Sequence, residues 1–390
     1  MTKKDLHIVI VGGGFGGIKA ARELSKRRVG RITLISDEPH FLHHATLYST
    51  ATGKSYAESV IPLVDIFAND PDVEVVQDRI SSLDEHRRIV VGKEGQYHYD
   101  ELILAMGSVT TFFGIPGMKE RAFGIKTLDE VKAFQNHIHD EVVDRRLDKE
   151  FFVIGGGPTG VELAGALNEY LKSLVHTYRI TGSRSKVTLV EAAPRVVPRM
   201  SKTASRKVQS RLEKLGVRVH VNQKVVALED DCITIGNVSH PTTTAVWTSG
   251  VANNPFFREH SELFALSPSG RVHVDEYLEA HPHVSVIGDN NDVKHSGMAW
   301  PALYQAAYVA KRIARTKNGR SIHPFRSHSV MCGVPIGEKW GYVEWYGVYV
   351  SGWAGAQTRR YMELYGYAQL VGLRAALPVW QAHYISEVDP

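Results

Sequence analysis

"IVGGGFGGIKAA", residues 10–21, and "VIGGGPTGVE", residues 153–162, superpose at an offset of 143 residues without a gap. Both carry G-x-G-x-x-G spacing: Gly12, Gly14 and Gly17 in the first, Gly155, Gly157 and Gly160 in the second. The first glycine permits a tight turn. The second removes a side chain where a pyrophosphate must approach the backbone, and the third lets helix and strand pack closely. The helix that follows offers unpaired N–H groups and partial positive charge to phosphates. One such spacing alone is weak, but here each copy sits between a buried-strand run and a helical pattern, as the mechanism requires.

Working outward, residues 6–11 read as a buried strand, a helix runs to about Lys26, and "RITLISD" (31–37) is a second strand. The second copy repeats the plan with "FFVIGGG", a helix from about Thr159 and "KVTLVEAAPR" (186–195). "YDELILAMGS" (99–108), "AVWTSGVANNP" (245–255) and "HVSVIGDNND" (283–292) add further strands, and "GVRVHVNQKVVAL" reads as an alternating strand pair. Alternating strands and helices give an α/β fold with two Rossmann-like dinucleotide-binding domains. The expected division is a discontinuous flavin domain at 1–111 and 250–330, a nicotinamide-nucleotide domain at 112–249, and a tail at 331–390 crowded with Trp and Tyr.

Composition sets the outer limits. With 390 residues, 43% hydrophobic and 23% charged, the chain has room for two domains and an extra segment. Its net charge of +4 suits an acidic membrane surface or anionic substrates and argues against nucleic acid. Cys232 and Cys332 lie far apart and form no C-x-x-C, which excludes dithiol redox chemistry. The longest uncharged run, 102–118, holds three Gly and one Pro. It falls short of the ~20 apolar residues a spanning helix needs. The start runs directly into a strand, so no signal peptide is expected and the cytoplasm is the expected compartment.

The second strand of each copy should end in an acid that holds the adenosine ribose. Glu191 fills that place in the second copy; it favours NADH and repels the 2′-phosphate of NADPH, with Arg195 near enough to soften the preference. The aligned residue in the first copy is Ser36, with Asp37 one place later, so either Asp37 shifts to serve or Ser36 and solvent do. Two dinucleotide sites in one chain imply an electron relay: FAD stays bound and NAD(H) exchanges.

With these residues in view, the chain resembles the type II NADH dehydrogenases, single-subunit flavoenzymes that pass electrons from NADH to quinone without pumping protons. Beyond the loops, the likeness rests on "HFLHHATLYSTATG" (40–53), "LILAMGS" (102–108), "WTSGV" (247–251) and "VIGDN" (286–290), and covers nearly the whole length. It implies that Gly288 and Asp289 hold the ribityl and phosphate side of the flavin. Phe15, Ala105 and Gly107 are further flavin contacts, and Gly250 serves the nicotinamide nucleotide. It also implies that Glu162 is the acid near the nicotinamide and flavin rings, although an acid there could equally offset the helix dipole. Gln305 resembles the first Gln of the family's A-Q-x-x-x-Q element at the quinone side. Val309 stands for the second Gln and Tyr304 for the Ala, so the headgroup differs or aromatics line the pocket.

The tail resembles the family's membrane-associating C-terminus, which implies a peripheral protein on the cytoplasmic face of the membrane, with dimerisation through the same region. Tyr361, Leu364, Tyr365, Ala368 and Val371 recur at helical spacing with Arg359, Arg360 and Arg374 at the ends, as in an interfacial helix. A dimer face or a core-covering helix is the competing reading. The rival functions are a reductase of a soluble carrier of the ferredoxin or rubredoxin type and an NADH-sensing flavoprotein. The pairs His43–His44, His137/His139 and His281/His283 lack local Cys or acid partners, so no metal site is expected.

Overall fold

Two parallel sheets form around the two glycine loops in a computed structural model, which describes residues 5–144, 147, 149–180 and 185–387. The larger sheet has six strands in the order Glu279–His281, Val284–Val286, Glu101–Leu104, Leu6–Val11, Gly30–Ser36, Val73–Gln77. All neighbours pair in parallel except the first two. The smaller has four parallel strands in the order Arg218–His220, Lys186–Val190, Glu150–Ile154, Ala245–Trp247. In both, the strand before the glycine loop lies inside the sheet, between the next strand in sequence and a much later one. Strand order reverses there, opening a crevice at the carboxyl ends where nucleotides bind.

The chain passes between these two units at Ser108–Thr110 and returns at Val251–Asn253, and the two crossings pair antiparallel. "GVRVHVNQKVVAL" does not form a strand pair. Arg218–His220 completes the four-stranded sheet, while Val225–Leu228 joins Cys232–Ile235 in a separate antiparallel sheet. The cause is Asn222, whose φ of +57° turns the chain between them, a conformation that Asn tolerates better than most residues.

Helix Pro158–Thr177 shows why the second copy folds as it does. Pro158 takes the first helical position, where no N–H is needed. Val161, Ala164, Leu167, Leu171 and Leu174 then recur every three or four residues and are buried against Val187, Leu189, Val208 and Leu212. The tail is integral to both cores. Val334, Ile336 and Tyr342 of its sheet pack in the core of the second unit, and Tyr367, Leu370 and Ala376 of its helices pack in the core of the first. Among the described residues, no helix is long and apolar enough to cross a membrane.

Candidate active site

The three glycines of each loop divide their work in the same way. A Cβ on Gly12, whose φ is +115°, would meet the carbonyl oxygen of Ala105 at 2.2 Å, and one on Gly17 would meet that of Gly12 at 1.9 Å. A Cβ on Gly14 would meet nothing within 4 Å. In the second loop Gly155, φ +114°, would strike Ser249 Oγ at 2.2 Å and Gly160 the carbonyl oxygen of Gly155 at 1.8 Å, while Gly157 is open. Gly14 and Gly157 are the N-caps of their helices, Phe15–Lys26 and Pro158–Thr177, and neither helix has a side-chain cap or an acid in its first turn. Each loop is thus a cradle of free N–H groups with a clear approach, which fits the pyrophosphate of a dinucleotide.

Around the first cradle, Gly107 also faces open space, and its amide and carbonyl are both bonded by the Asn290 side chain at 3.0 and 2.6 Å. Gly288, φ +72°, turns the chain so that Asp289 Oδ2 accepts from Ser108 Oγ at 2.8 Å. Phe15 stands edge-on to Phe41 at 5.0 Å and tilted to His43 at 5.3 Å. Helix Ala299–Lys317 begins beside this turn, without a side-chain cap or an acid in its first turn. Ser36 is buried, and a Cβ on Gly13 would lie 2.6 Å from its hydroxyl, whereas Asp37 is exposed at the bend beyond. These residues fit FAD: an open phosphate loop, a carboxylate for ribityl hydroxyls and a second helix N-terminus.

In the second cradle Glu191 accepts from the amides of Gly156 and Ala193, each at 2.6 Å, one on each oxygen. The carboxylate is fixed at the loop. Arg195, expected to soften the preference for NADH, is braced on its own loop: its guanidinium donates to the carbonyls of Met200 and Pro198 and to Ser205 Oγ. Gly250, φ +76°, lies directly under the Phe113 ring, which a Cβ would meet at 2.6 Å.

Glu162 is buried, and burial raises its pKa to about 8, with Arg359 opposing the shift and Glu363 adding to it. It lies one turn beyond the helix start, and after burial its protonation answers to Arg359 and Glu363 of the tail helix Trp353–Val371. Arg359 bonds Glu363 at 2.9 Å and the carbonyl of Gly333 at 3.2 Å. Arg360 bridges Glu363 and Glu58, and Glu58 also accepts from His383 at 2.8 Å and Ser49 at 2.7 Å. Tyr48, from the "HFLHHATLYSTATG" stretch, is buried near Glu162, Glu363 and Glu58, and burial pushes its phenol well above the usual range. Sequence reading placed Arg359 and Arg360 at the polar ends of an apolar stripe and did not single out Glu58 or Glu363. The available signal was the i, i+4 spacing of Arg359 and Glu363, which puts both on one face, opposite Tyr361 and Tyr365.

Gln305 sits elsewhere than at an open quinone face. It is fully buried; its carbonyl accepts from the Gly288 amide at 2.7 Å and Asn291 at 2.9 Å, and its amide donates to Ser296 at 3.1 Å. Its polar groups hold the Gly288–Asp289 turn, so it positions rather than touches a substrate. Val309 is likewise in the core. At the start of this helix the outward residues are aromatic: Tyr304 is exposed, and Trp300 stacks on Tyr365 at 5.2 Å and neighbours Tyr304 at 6.2 Å. The histidine pairs serve packing and hydrogen bonds: His137 stacks on Phe123 and bonds Thr244, and His283 bonds Glu101. Both cysteines are free thiols.

Two nucleotide cradles in one chain point to a flavin- and nicotinamide-dependent oxidoreductase, and the comparisons agree. Residues 6–310 match the family model described as pyridine nucleotide-disulphide oxidoreductase. The type II NADH:quinone oxidoreductase Ndh of Mycobacterium tuberculosis is 33% identical over 333 residues, 79% of this chain and 72% of the relative. The chain belongs to the type II NADH dehydrogenase family. The type II NADH:quinone oxidoreductase of Staphylococcus epidermidis is 27% identical over 401 residues, covering 96% of this chain and 98% of that protein. The structure of NDH2 from Plasmodium falciparum in complex with NADH shares the fold, with a TM-score of 0.86 at 16% identity over 98% of both chains.

Proposed function

We propose that this type II NADH dehydrogenase carries two electrons from NADH to a quinone at the membrane surface, using FAD held in the six-stranded unit and NADH in the four-stranded one. The observation that carries the reading is the pair of cradles, each open at its middle glycine and closed by packing at the other two. FAD, when bound, would supply the two-electron chemistry that links NADH to the quinone. Gly12, Gly14, Gly17 and Phe15 form its phosphate loop. Ala105, Gly107, Gly288 and Asp289 line the ribityl side, with Asp37 or Ser36 toward the ribose. Gly155, Gly157, Gly160 and Gly250 receive NADH, and Glu191 orients its ribose.

Glu162 holds a proton at neutral pH, because burial lifts its pKa to about 8, and can donate it as quinol forms. Arg359 and Glu363 of the tail helix are the charges that tune that carboxyl, the first against the proton and the second for it. The quinone reaches the site past Trp300, Tyr304 and Tyr365.

The membrane-facing role is supported by an inversion in helix Trp353–Val371. Its buried face carries Arg359, Arg360 and Glu363, while Trp353, Tyr361 and Tyr365 point outward. With Trp345, Tyr346, Val348 and Leu373 they make an exposed aromatic and aliphatic surface, suited to a headgroup layer. Of the expected apolar stripe, only Tyr361 and Tyr365 face out. Leu364, Ala368 and Val371 pack against the first core. The cytoplasmic face follows from the location of the NADH pool.

The test is NADH oxidation by the purified flavoprotein with a short-chain ubiquinone and a naphthoquinone, with and without anionic vesicles. Quinone turnover that vesicles stimulate, and that Trp353→Glu with Tyr361→Glu uncouples from vesicles, is expected. Flavin reduction without quinone turnover would sink the reading. A doubled mass in solution that the same substitutions abolish would assign the surface to a dimer instead.

A further inference from the structure

Lys126, a half-buried cation, is left unused by this mechanism. Lys126 follows the outward crossing and precedes helix Leu128–Val143, whose capping box holds it in place: Glu130 Oε2 accepts from the backbone amides of Lys126 at 2.7 Å and Thr127 at 3.0 Å. The side chain turns the other way. Lys126 Nζ donates to Ser108 Oγ at 3.1 Å, and Ser108 Oγ donates to Asp289 Oδ2 at 2.8 Å. An ammonium can only donate and a serine hydroxyl has a single hydrogen, so the directions are fixed: cation to hydroxyl to carboxylate.

The three residues come from three separated stretches of chain. Lys126 belongs to the segment leading into the nicotinamide-nucleotide unit, Ser108 to the crossing strand and Asp289 to the turn after Val286. His44 flanks the same seam, and its ring bonds the backbone of Leu42 and Lys126. Lys126 is the cation facing Asp289. Desolvation disfavours that ammonium, and Asp289 is the first of the charges that offset it.

We propose that Lys126 is a positioning residue for the flavin: through Ser108 it fixes one oxygen of Asp289, aims the other at the ribityl hydroxyls, and so ties flavin binding to docking of the second unit. This rests on the reading that Asp289 faces the flavin. Charge-assisted hydrogen bonds of this kind contribute more than neutral ones, about tenfold or more in an equilibrium constant.

The experiment measures the FAD dissociation constant by flavin fluorescence on reconstitution of the full chain, together with visible circular dichroism of the bound flavin at matched occupancy. The proteins are wild type, Lys126→Met, Lys126→Arg, Asp289→Asn and the Lys126→Met/Asp289→Asn double variant. Lys126→Met is expected to weaken FAD about tenfold and change the flavin dichroism, with Lys126→Arg restoring most of both. In the Asp289→Asn background Lys126→Met should add nothing, since the relay ends at that carboxylate. If Asp289→Asn weakens FAD and Lys126→Met does not, the relay is wrong while the Asp289 reading stands. If Lys126→Met acts equally with and without Asp289, Lys126 is merely structural and the proposal is overturned. If neither substitution affects FAD, both readings fall.

Discussion

Replacing Glu162 by Gln tests whether the buried acid stores a proton. An ordinary Glu has a pKa of 4.5 and Glu162 in the fold about 8, chiefly because burial penalises the anion more than Arg359 favours it. A raised native pKa means that the folded protein keeps a proton that the unfolded chain has already released. The contribution to stability is therefore complete below about 4.5 and is lost as pH rises through about 8. Between those limits each pH unit removes about 1.4 kcal/mol, or on the order of 5 kcal/mol across the window. Gln cannot titrate, so Glu162→Gln should lack this slope. Its stability relative to wild type should climb by about 1.4 kcal/mol per pH unit from pH 5 to 8 and level off above. Urea unfolding of both proteins at a series of pH values, with FAD in excess, reads the difference directly. Parallel curves from pH 5 to 8 would refute the reasoning. They would mean that Arg359 keeps Glu162 ionised throughout and that it holds no proton to give.

Gly157→Ala and Gly160→Ala should part company. The first places a Cβ in open space and should leave the melting temperature nearly unchanged while raising KM for NADH roughly tenfold or more; the second drives a Cβ to 1.8 Å from a carbonyl and should cost the fold itself. Glu191→Ala should relax discrimination against NADPH by about tenfold, a ratio of kcat/KM values, whereas Arg195→Ala should lower the melting temperature and leave that ratio alone, because its guanidinium braces its own loop. Arg360→Met leaves Glu58 buried with one fewer counter-charge and should destabilise the protein by about 3–5 kcal/mol in chemical denaturation. A loss below about 1 kcal/mol would mean that His383 alone compensates Glu58.

The doubled glycine spacing and the strand-to-helix context around it were enough to read two nucleotide cradles, because backbone sterics act over a few residues and leave a local signature. The helix from Phe15 to Lys26, the strand at 6–11 and the Gly288–Asp289 turn were legible for the same reason. The acid Glu191 was legible too, since its place is set by register within one βαβ unit. Lone side chains were harder. Gln305 looked like a substrate contact, but its neighbours Gly288, Asn291 and Ser296 lie 9 to 17 residues away in sequence and consume every polar atom it has. Arg195 looked free to greet a phosphate until its loop closed on it.

The tail separates what sequence settles from what it leaves to the fold. Sequence alone established that apolar residues recur at helical spacing from Tyr361 to Val371, with Arg359, Arg360 and Arg374 at the ends, because that periodicity is a property of one helix. Which face points inward depended on partners more than 180 residues away: Glu162 on the second glycine helix and Glu58 beside the first unit. Glu58 pairs with Arg360, and Glu363 pairs with both Arg359 and Arg360, so these ions lie inside where each is paired, and Trp353, Tyr361 and Tyr365 turn outward. Helical periodicity is written in the chain, but the sign of its two faces is set only when distant charges meet in a low-dielectric interior, where an unpaired ion costs far more than an exposed ring.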